Sequence, residues 1–286
     1  MASKEEKKTH FRDRQEFVRF LETKAINHDC FKHYSSKEGI QSICETHSII
    51  LHDGKSWNDV EDGNRLREDL NYHQFAFCFS FSRSESVPMW MLYSNDDGCM
   101  IDFDLDSIKS IMAIKEVQIG KYDKPSHSFN SYQSLPVDGS SVKFKLVDIA
   151  YYGEPKPPID SDRFCYYRHS GDTEKQFDRD IIESSRLFCK RIAWSYENEC
   201  RLIVSVNRNL INWDDQELDL QIVFGQSTID SLKRKGRIIN SPNVSSDDNP
   251  DTFYRDNHSS KLYGRINWSL KGILCRNCPN SEVKKV

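Results

Sequence analysis

Phe75-Ala76-Phe77-Cys78-Phe79-Ser80-Phe81-Ser82 is the stretch on which the fold turns. Aromatic and small residues fill it throughout, the composition of a strand packed against other structure. Just beyond it, Pro88 opens a short apolar helix over residues 89–93, and Asn95-Asp96-Asp97-Gly98 turns the chain into a further strand over 99–103. The local pattern is therefore strand, loop, helix, strand.

Moving toward the N-terminus, residues 53–72 are rich in Asp, Gly, Asn and charge, which predicts a surface loop with some helix. Before them, Phe31-Lys32-His33-Tyr34-Ser35-Ser36 reads as a short strand ending in a helix cap. Ser35 and Ser36 precede Glu38 and the apolar positions Ile40, Ile43 and Cys44. A strand is expected at 48–51. In the charged segment 1–24, Phe11, Phe17, Val18, Phe20 and Leu21 fall at helical spacing, so a solvated leader runs into an amphipathic helix that either packs on the core or grips a partner.

Moving toward the C-terminus, residues 142–152 predict a strand and 153–173, rich in Pro, Asp and Gly, a loop. Phe177, Ile181, Ile182, Ser185 and Phe188 share one face if 174–193 is an amphipathic helix. The sequence Trp194-Ser195-Tyr196-Glu197-Asn198-Glu199-Cys200-Arg201 leads into a strand at 202–206, and a strand at 220–224 ends at Gly225 before a helix carrying Ile229 and Leu232. Residues 241–258 are polar, and no internal repeat occurs. Scattered strands outnumber long helices, so the expected class is α+β rather than a doubly wound sheet.

Composition narrows the function classes. With 37% hydrophobic residues in 286, the chain supports a real core, and a formal net charge of -4 gives no global attraction to polyanions. No apolar run approaches the roughly 20 residues that span a bilayer, and MASKEEKKTH lacks the apolar stretch of a signal peptide; the expectation is a cytoplasmic protein without a membrane partner. Nine cysteines, several in strand-like apolar runs, read as buried free thiols. No phosphate-binding glycine loop is present.

Several separated blocks occur in a recognisable order: His33-Tyr34-Ser35-Ser36, then Trp90-Met91-Leu92-Tyr93-Ser94 with Gly98–Asp104, then Lys190, Trp194 and residues 196–201. Over residues 31–235 they resemble domain-of-unknown-function family 2971. More distantly, they are similar to the ADP-ribosyltransferase superfamily, in which a first strand carries His or Arg, a middle strand and adjoining helix carry Ser-x-Ser or an aromatic, and a later strand begins with Glu. That resemblance implies a split, mixed or antiparallel sheet core with flanking helices over residues 25–240, between the 1–24 leader and a polar, partly flexible 241–286 segment. It also implies NAD as substrate.

The roles follow from the same resemblance. Glu199 stands at the head of a strand and steadies the oxocarbenium-like ribose as nicotinamide leaves, while Glu197, two residues ahead, faces the acceptor. His33 donates to the adenosine-side ribose, with Tyr34 beside it also at the cofactor; Trp90 or Tyr93 stacks on nicotinamide; Ser80 and Ser82 supply the Ser-x-Ser block. The implied activity is ADP-ribosyl transfer to RNA, DNA or protein by a toxin or anti-phage effector restrained by an antitoxin-like partner. A NAD glycohydrolase and a noncatalytic binding module are the alternatives.

Plainer readings exist for each group. His33 is also readable as a strand histidine satisfied by a carbonyl, Glu197, Glu199 and Arg201 as surface ion pairs on a strand edge, and Trp90 or Tyr93 as core. Cys275 and Cys278 with His28, Cys30 and His33 have partial zinc spacing, but no second CxxC accompanies them and no metal is assigned. The basic residues Lys233, Arg234, Lys235 and Arg237, with Lys284 and Lys285, read as a solvated face or a phosphate contact.

Overall fold

The structure is a computed structural model that describes residues 11–54, 57, 59–67, 69, 71–83, 86–94, 98–123, 126, 128–153, 163–167, 175–212, 218–235 and 237–240. The zinc-spaced Cys275 and Cys278, the Asn95–Asp97 turn, and the 241–286 segment with Lys284 and Lys285 lie outside the described residues.

The first helix, α1 (Arg14–Ala25), starts where the Asp13 side chain accepts from the Glu16 N–H, and it buries Phe17, Val18, Leu21 and Ala25. Strand β1 (Phe31–Ser35) then runs into α2 (Lys37–Thr46), capped by Ser36, whose hydroxyl accepts from Gly39 N–H at 3.1 Å. Next come β2 (Ser48–Leu51), α3 (Val60–Arg67), β3 (Tyr72–Ser80), α4 (Val87–Tyr93), β4 (Cys99–Phe103) and α5 (Leu105–Met112). The hairpin β5 (Glu116–Asp123) and β6 (Ser128–Pro136) leads to β7 (Val142–Asp148), β8 (Ala150–Gly153), β9 (Arg163–Tyr167), β10 (Lys175–Asp178), α6 (Arg179–Ser184) and β11 (Cys189–Arg191). A 3-10 turn, Ile192–Glu197, precedes β12 (Glu199–Asn207), and β13 (Asp219–Val223), α7 (Gln226–Lys235) and β14 (Arg237–Asn240) complete the order.

The class is mixed α+β. A six-stranded sheet runs β14-β4-β1-β3-β12-β7, a second sheet β2-β13-β5-β6, and a third β10-β9-β8-β11. Every neighbouring pair is antiparallel except β11 with β8. Period-2 alternation divides the large sheet between two cores. Phe75, Phe77 and Phe79 of β3 and Leu202, Val204 and Val206 of β12 join one cluster with Ile49, Ile119 and Leu220 of the second sheet. Ala76 and Ile203 face the other way, into a cluster with Phe17 and Leu21 of α1 and Leu187 and Phe188. The N-terminal helix thus covers the back of the main sheet. Among the described residues no helix is long and apolar enough to cross a membrane.

Three expectations change. The amphipathic helix over 174–193 is reduced to α6: residues 175–178 pair as β10 with β9, and 189–191 pair as β11 with β8. Spacing alone cannot show that neighbouring strands offer those residues a backbone ladder. The strand over 142–152 breaks at Ile149, whose N–H donates to Glu199 O at 2.9 Å, and β7 and β8 belong to different sheets. The loop over 53–72 is not all surface, because α3 buries Asp62, Arg65 and Leu66.

Candidate functional site

The site forms where the large sheet comes apart. β3 stays in register with β12 from Tyr72 opposite Asn207 to Ser80 opposite Glu199. On its other side, β3 meets β1 at the one pair Lys32 opposite Ser80. Beyond that pair a side chain replaces the ladder: His33 Nδ1–H donates to the Cys78 carbonyl at 3.0 Å, which leaves Nε2 as an acceptor, so the expected donation from His33 to a ribose is not available to the neutral ring. Lys32 Nζ likewise donates to the carbonyls of Ser82, at 2.7 Å, and Arg83, at 2.9 Å. A cavity of about 670 Å³ opens here, lined by both strands, by α2 and β2, and by the turn before β12. That volume lies in the range of small-molecule and cofactor pockets.

Part of the cavity wall belongs to a buried charge cluster. Glu199 and Arg201 are two apart on β12 and so share a face. Arg201 Nε donates to Glu199 Oε1 at 2.5 Å, Nη1 to Asp62 Oδ1 at 2.9 Å, and Nη2 to Asp62 Oδ2. Lys190 lies 2.7 Å from Glu197 Oε2, 2.7 Å from Glu199 Oε2 and 3.3 Å from Asp62 Oδ2. The Tyr93 hydroxyl donates to the remaining oxygen of Glu197. Between the two glutamates Asn198 adopts φ 44°, the left-handed region that Asn tolerates, and it joins the 3-10 turn to the strand while both carboxylates converge on one amine.

Three carboxylates against two cations leave one negative charge when all are ionised, and the strain falls on Glu197. Burial and the Glu199 charge push its carboxyl up to about 7, against the pull of Lys190. Burial also opposes ionisation of Glu199, but Arg201 and then Lys190 overcome it and hold that carboxyl well below the usual range. Lys190 keeps its proton despite burial because Glu199 and Glu197 surround it. Burial drives the His33 imidazole down to about 4, only partly offset by the Cys78 carbonyl, so this ring is neutral at pH 7.

Of the residues the sequence singles out, His33, Tyr34, Tyr93, Glu197 and Glu199 line one cavity. Trp90 does not: it is buried against Tyr34, with ring centroids 4.9 Å apart, in a cluster with Met89 and Met100. Ser80 is fully buried in β3, while Ser82 has its amide 3.4 Å from Ser80 Oγ and its carbonyl on Lys32; neither hydroxyl belongs to the wall. The surface ion-pair reading of Glu197, Glu199 and Arg201 is overturned, since all three are buried. Asp62 and the partnering role of Lys190 go unread in the sequence, where a charge in a polar stretch looks solvated; a lysine and an arginine inside apolar strand segments are the available signal. Among the described residues no group of three or more His, Cys, Asp or Glu could hold a metal. Cys30, Cys44, Cys78, Cys99, Cys189 and Cys200 are free thiols.

Residues 89–202 match the family model described as Protein of unknown function (DUF2971). The DUF2971 match is narrower than the 31–235 span of the resemblance. It takes in Tyr93, Lys190, Glu197, Glu199 and Arg201, and leaves His33 and Asp62 outside. No curated protein and no solved structure matches the chain.

Proposed function

We propose that this chain breaks the nicotinamide–ribose bond of NAD and transfers ADP-ribose to a macromolecule, RNA, DNA or protein. The observation that carries the reading is that His33 on β1 and Glu199 at the head of β12 flank β3 and line one cavity with Tyr93 and Glu197. The ADP-ribosyltransferase resemblance assigns a cofactor-holding His and a catalytic Glu to separate strands, and the shared cavity supports reading these two residues in those roles.

In this reaction the bond from ribose C1′ to the nicotinamide nitrogen breaks, and its electron pair leaves with neutral nicotinamide. The surplus negative charge of the cluster, at Glu197 and Glu199, opposes the positive charge that develops on the ribose. The acceptor then bonds to C1′ and surrenders its proton, for which Glu197, held near neutrality, is the recipient. Tyr93 reaches the same wall with a ring suited to nicotinamide. Such an activity endangers its own cell, and it fits a toxin or defence effector kept in check by a partner. One observation favours water as acceptor, and hence a NAD glycohydrolase: both glutamates are buried, within reach of a small nucleophile more readily than of a macromolecule.

The test supplies NAD labelled in its adenylate half together with RNA, DNA and protein candidates, and follows both label transfer and nicotinamide release. Glu199→Gln is expected to lower both by about 10²-fold or more while the melting temperature still rises on adding NAD. Activity that survives the substitution removes Glu199 from the reaction. Nicotinamide release without labelled macromolecule makes water the acceptor.

A further inference from the structure

The cavity has a second set of polar groups that the reaction above does not use. His52 follows β2 in the second sheet and lines the cavity wall with Trp57 and Tyr122. Its Nδ1–H donates to Asp219 Oδ1 at 2.5 Å, and the Tyr122 amide donates to Asp219 Oδ2 at 3.1 Å. Both carboxylate oxygens of Asp219 are thereby engaged, and the imidazole is fixed in orientation and tautomer. In the neutral ring Nε2 is then an acceptor, and among the described residues it has no hydrogen-bond partner. The His52 side chain is 37% exposed, so this nitrogen is within a ligand's reach.

The two sets of polar groups come from different layers. Glu199 heads a strand of the six-stranded sheet, whereas His52 and Asp219 belong to the sheet packed across the first core. Ile43, Ile49, Leu51, Phe77 and Phe79 supply apolar wall to the same cavity. A cavity of about 670 Å³ with polar groups contributed by two sheets and an apolar lining suits a ligand with more than one recognition group.

We infer that His52, positioned by Asp219, binds the adenosine half of NAD through a hydrogen bond from a ligand hydroxyl or amino group to Nε2, and so selects the dinucleotide over the mononucleotide. Asp219 is a positioning residue: it touches the imidazole, not the ligand. This assignment rests on the NAD reading above and adds a specificity determinant to it.

Nicotinamide mononucleotide has the same scissile bond without the adenosine half, which separates the two claims. Nicotinamide release is measured from NAD and from the mononucleotide for the wild-type chain, His52→Gln and Asp219→Asn. The wild type is expected to prefer NAD. His52→Gln should lower kcat/KM for NAD about tenfold, chiefly through KM, and leave the mononucleotide unchanged; Asp219→Asn, which turns the tautomer so that Nε2 carries the proton, should do the same. Inhibition of NAD cleavage by ADP, which holds only the adenosine half, reads the same contact and should weaken in both variants. Retention of the wild-type preference and of ADP inhibition in His52→Gln overturns the assignment, as does equal loss on both substrates. A wild-type chain that cleaves neither substrate defeats the NAD reading itself, and this assignment with it.

Discussion

Strand β3 has two neighbours and is held by them in different ways. Toward β12 a continuous ladder runs from Tyr72 to Ser80; toward β1 there is the Lys32–Ser80 pair, and then His33 and Lys32 donate side-chain hydrogen bonds to β3 and its continuation. The ladder side carries apolar packing on both faces beyond its first residues, where Glu199 and Arg201 join the charge cluster, and the open side admits the cavity. Most of the apolar packing and the opening of the sheet are therefore divided across one strand. Opening a sheet in this way exposes backbone groups that need other partners, and the imidazole of His33 is one such replacement.

The sharpest way to break the comparison is at Arg201, which lies on the ladder side yet holds the charge cluster together. Arg201→Ala leaves Asp62 and Glu199 buried with only Lys190 between them, and should destabilise the fold by about 3–5 kcal/mol in urea titration. A loss below about 1 kcal/mol would mean that the cluster is solvated.

The next effect is smaller and has a sign. His33 falls from its ordinary 6.5 to about 4 on folding, so the unfolded chain binds this proton more readily, and stability present at neutral pH is lost as pH falls from 6.5 toward 4. Glu197 rises from 4.5 to about 7, so the folded chain binds that proton more readily, and its contribution is lost as pH rises from 4.5 toward 7. Between pH 4.5 and 6.5 the two oppose each other. His33→Gln should expose the falling slope and Glu197→Gln the rising one, each by up to about 1.4 kcal/mol per pH unit in denaturation midpoints followed against pH. Identical slopes in both variants and the wild type would show that neither group titrates as the fold requires.

The smallest change is Tyr93→Phe, which removes the donor to Glu197 but keeps the ring on the cavity wall. Stability should fall by about 1 kcal/mol, while nicotinamide release should fall by more than that loss accounts for. A proportionate loss would assign the phenol to the ladder side of the comparison, as a structural contact.

How much of this was legible in the chain depended on whether the informative contact was local. The alternation Phe75, Phe77, Phe79 and the Ser36 cap are local, and both elements formed where the residues indicate. The β5–β6 hairpin escaped because most of residues 128–134 face solvent and show no apolar alternation. Around the candidate site, the resemblance singles out His33, Tyr93, Glu197 and Glu199, which line one cavity, whereas Asp62 lies 139 positions from Arg201 and His52 lies 167 positions from Asp219. Nothing in an isolated polar stretch announces a partner so far along the chain. The helix over 174–193 failed for the converse reason: a convincing local period was outweighed by strands that only the assembled fold supplies.

Gly98, just before β4, packs against Ser94 at the C-terminal end of the helix that carries Tyr93. A β-carbon there would fall 1.7 Å from the Ser94 carbonyl oxygen and 2.3 Å from Ser94 Cβ, both backbone-adjacent atoms that cannot step aside. The end of α4 and the start of β4 are therefore in direct backbone contact, with no side chain between them to act as a cushion. The helix that carries Tyr93 is thus seated directly against the chain entering the strand next to β1, and a side chain at position 98 would have to displace one from the other.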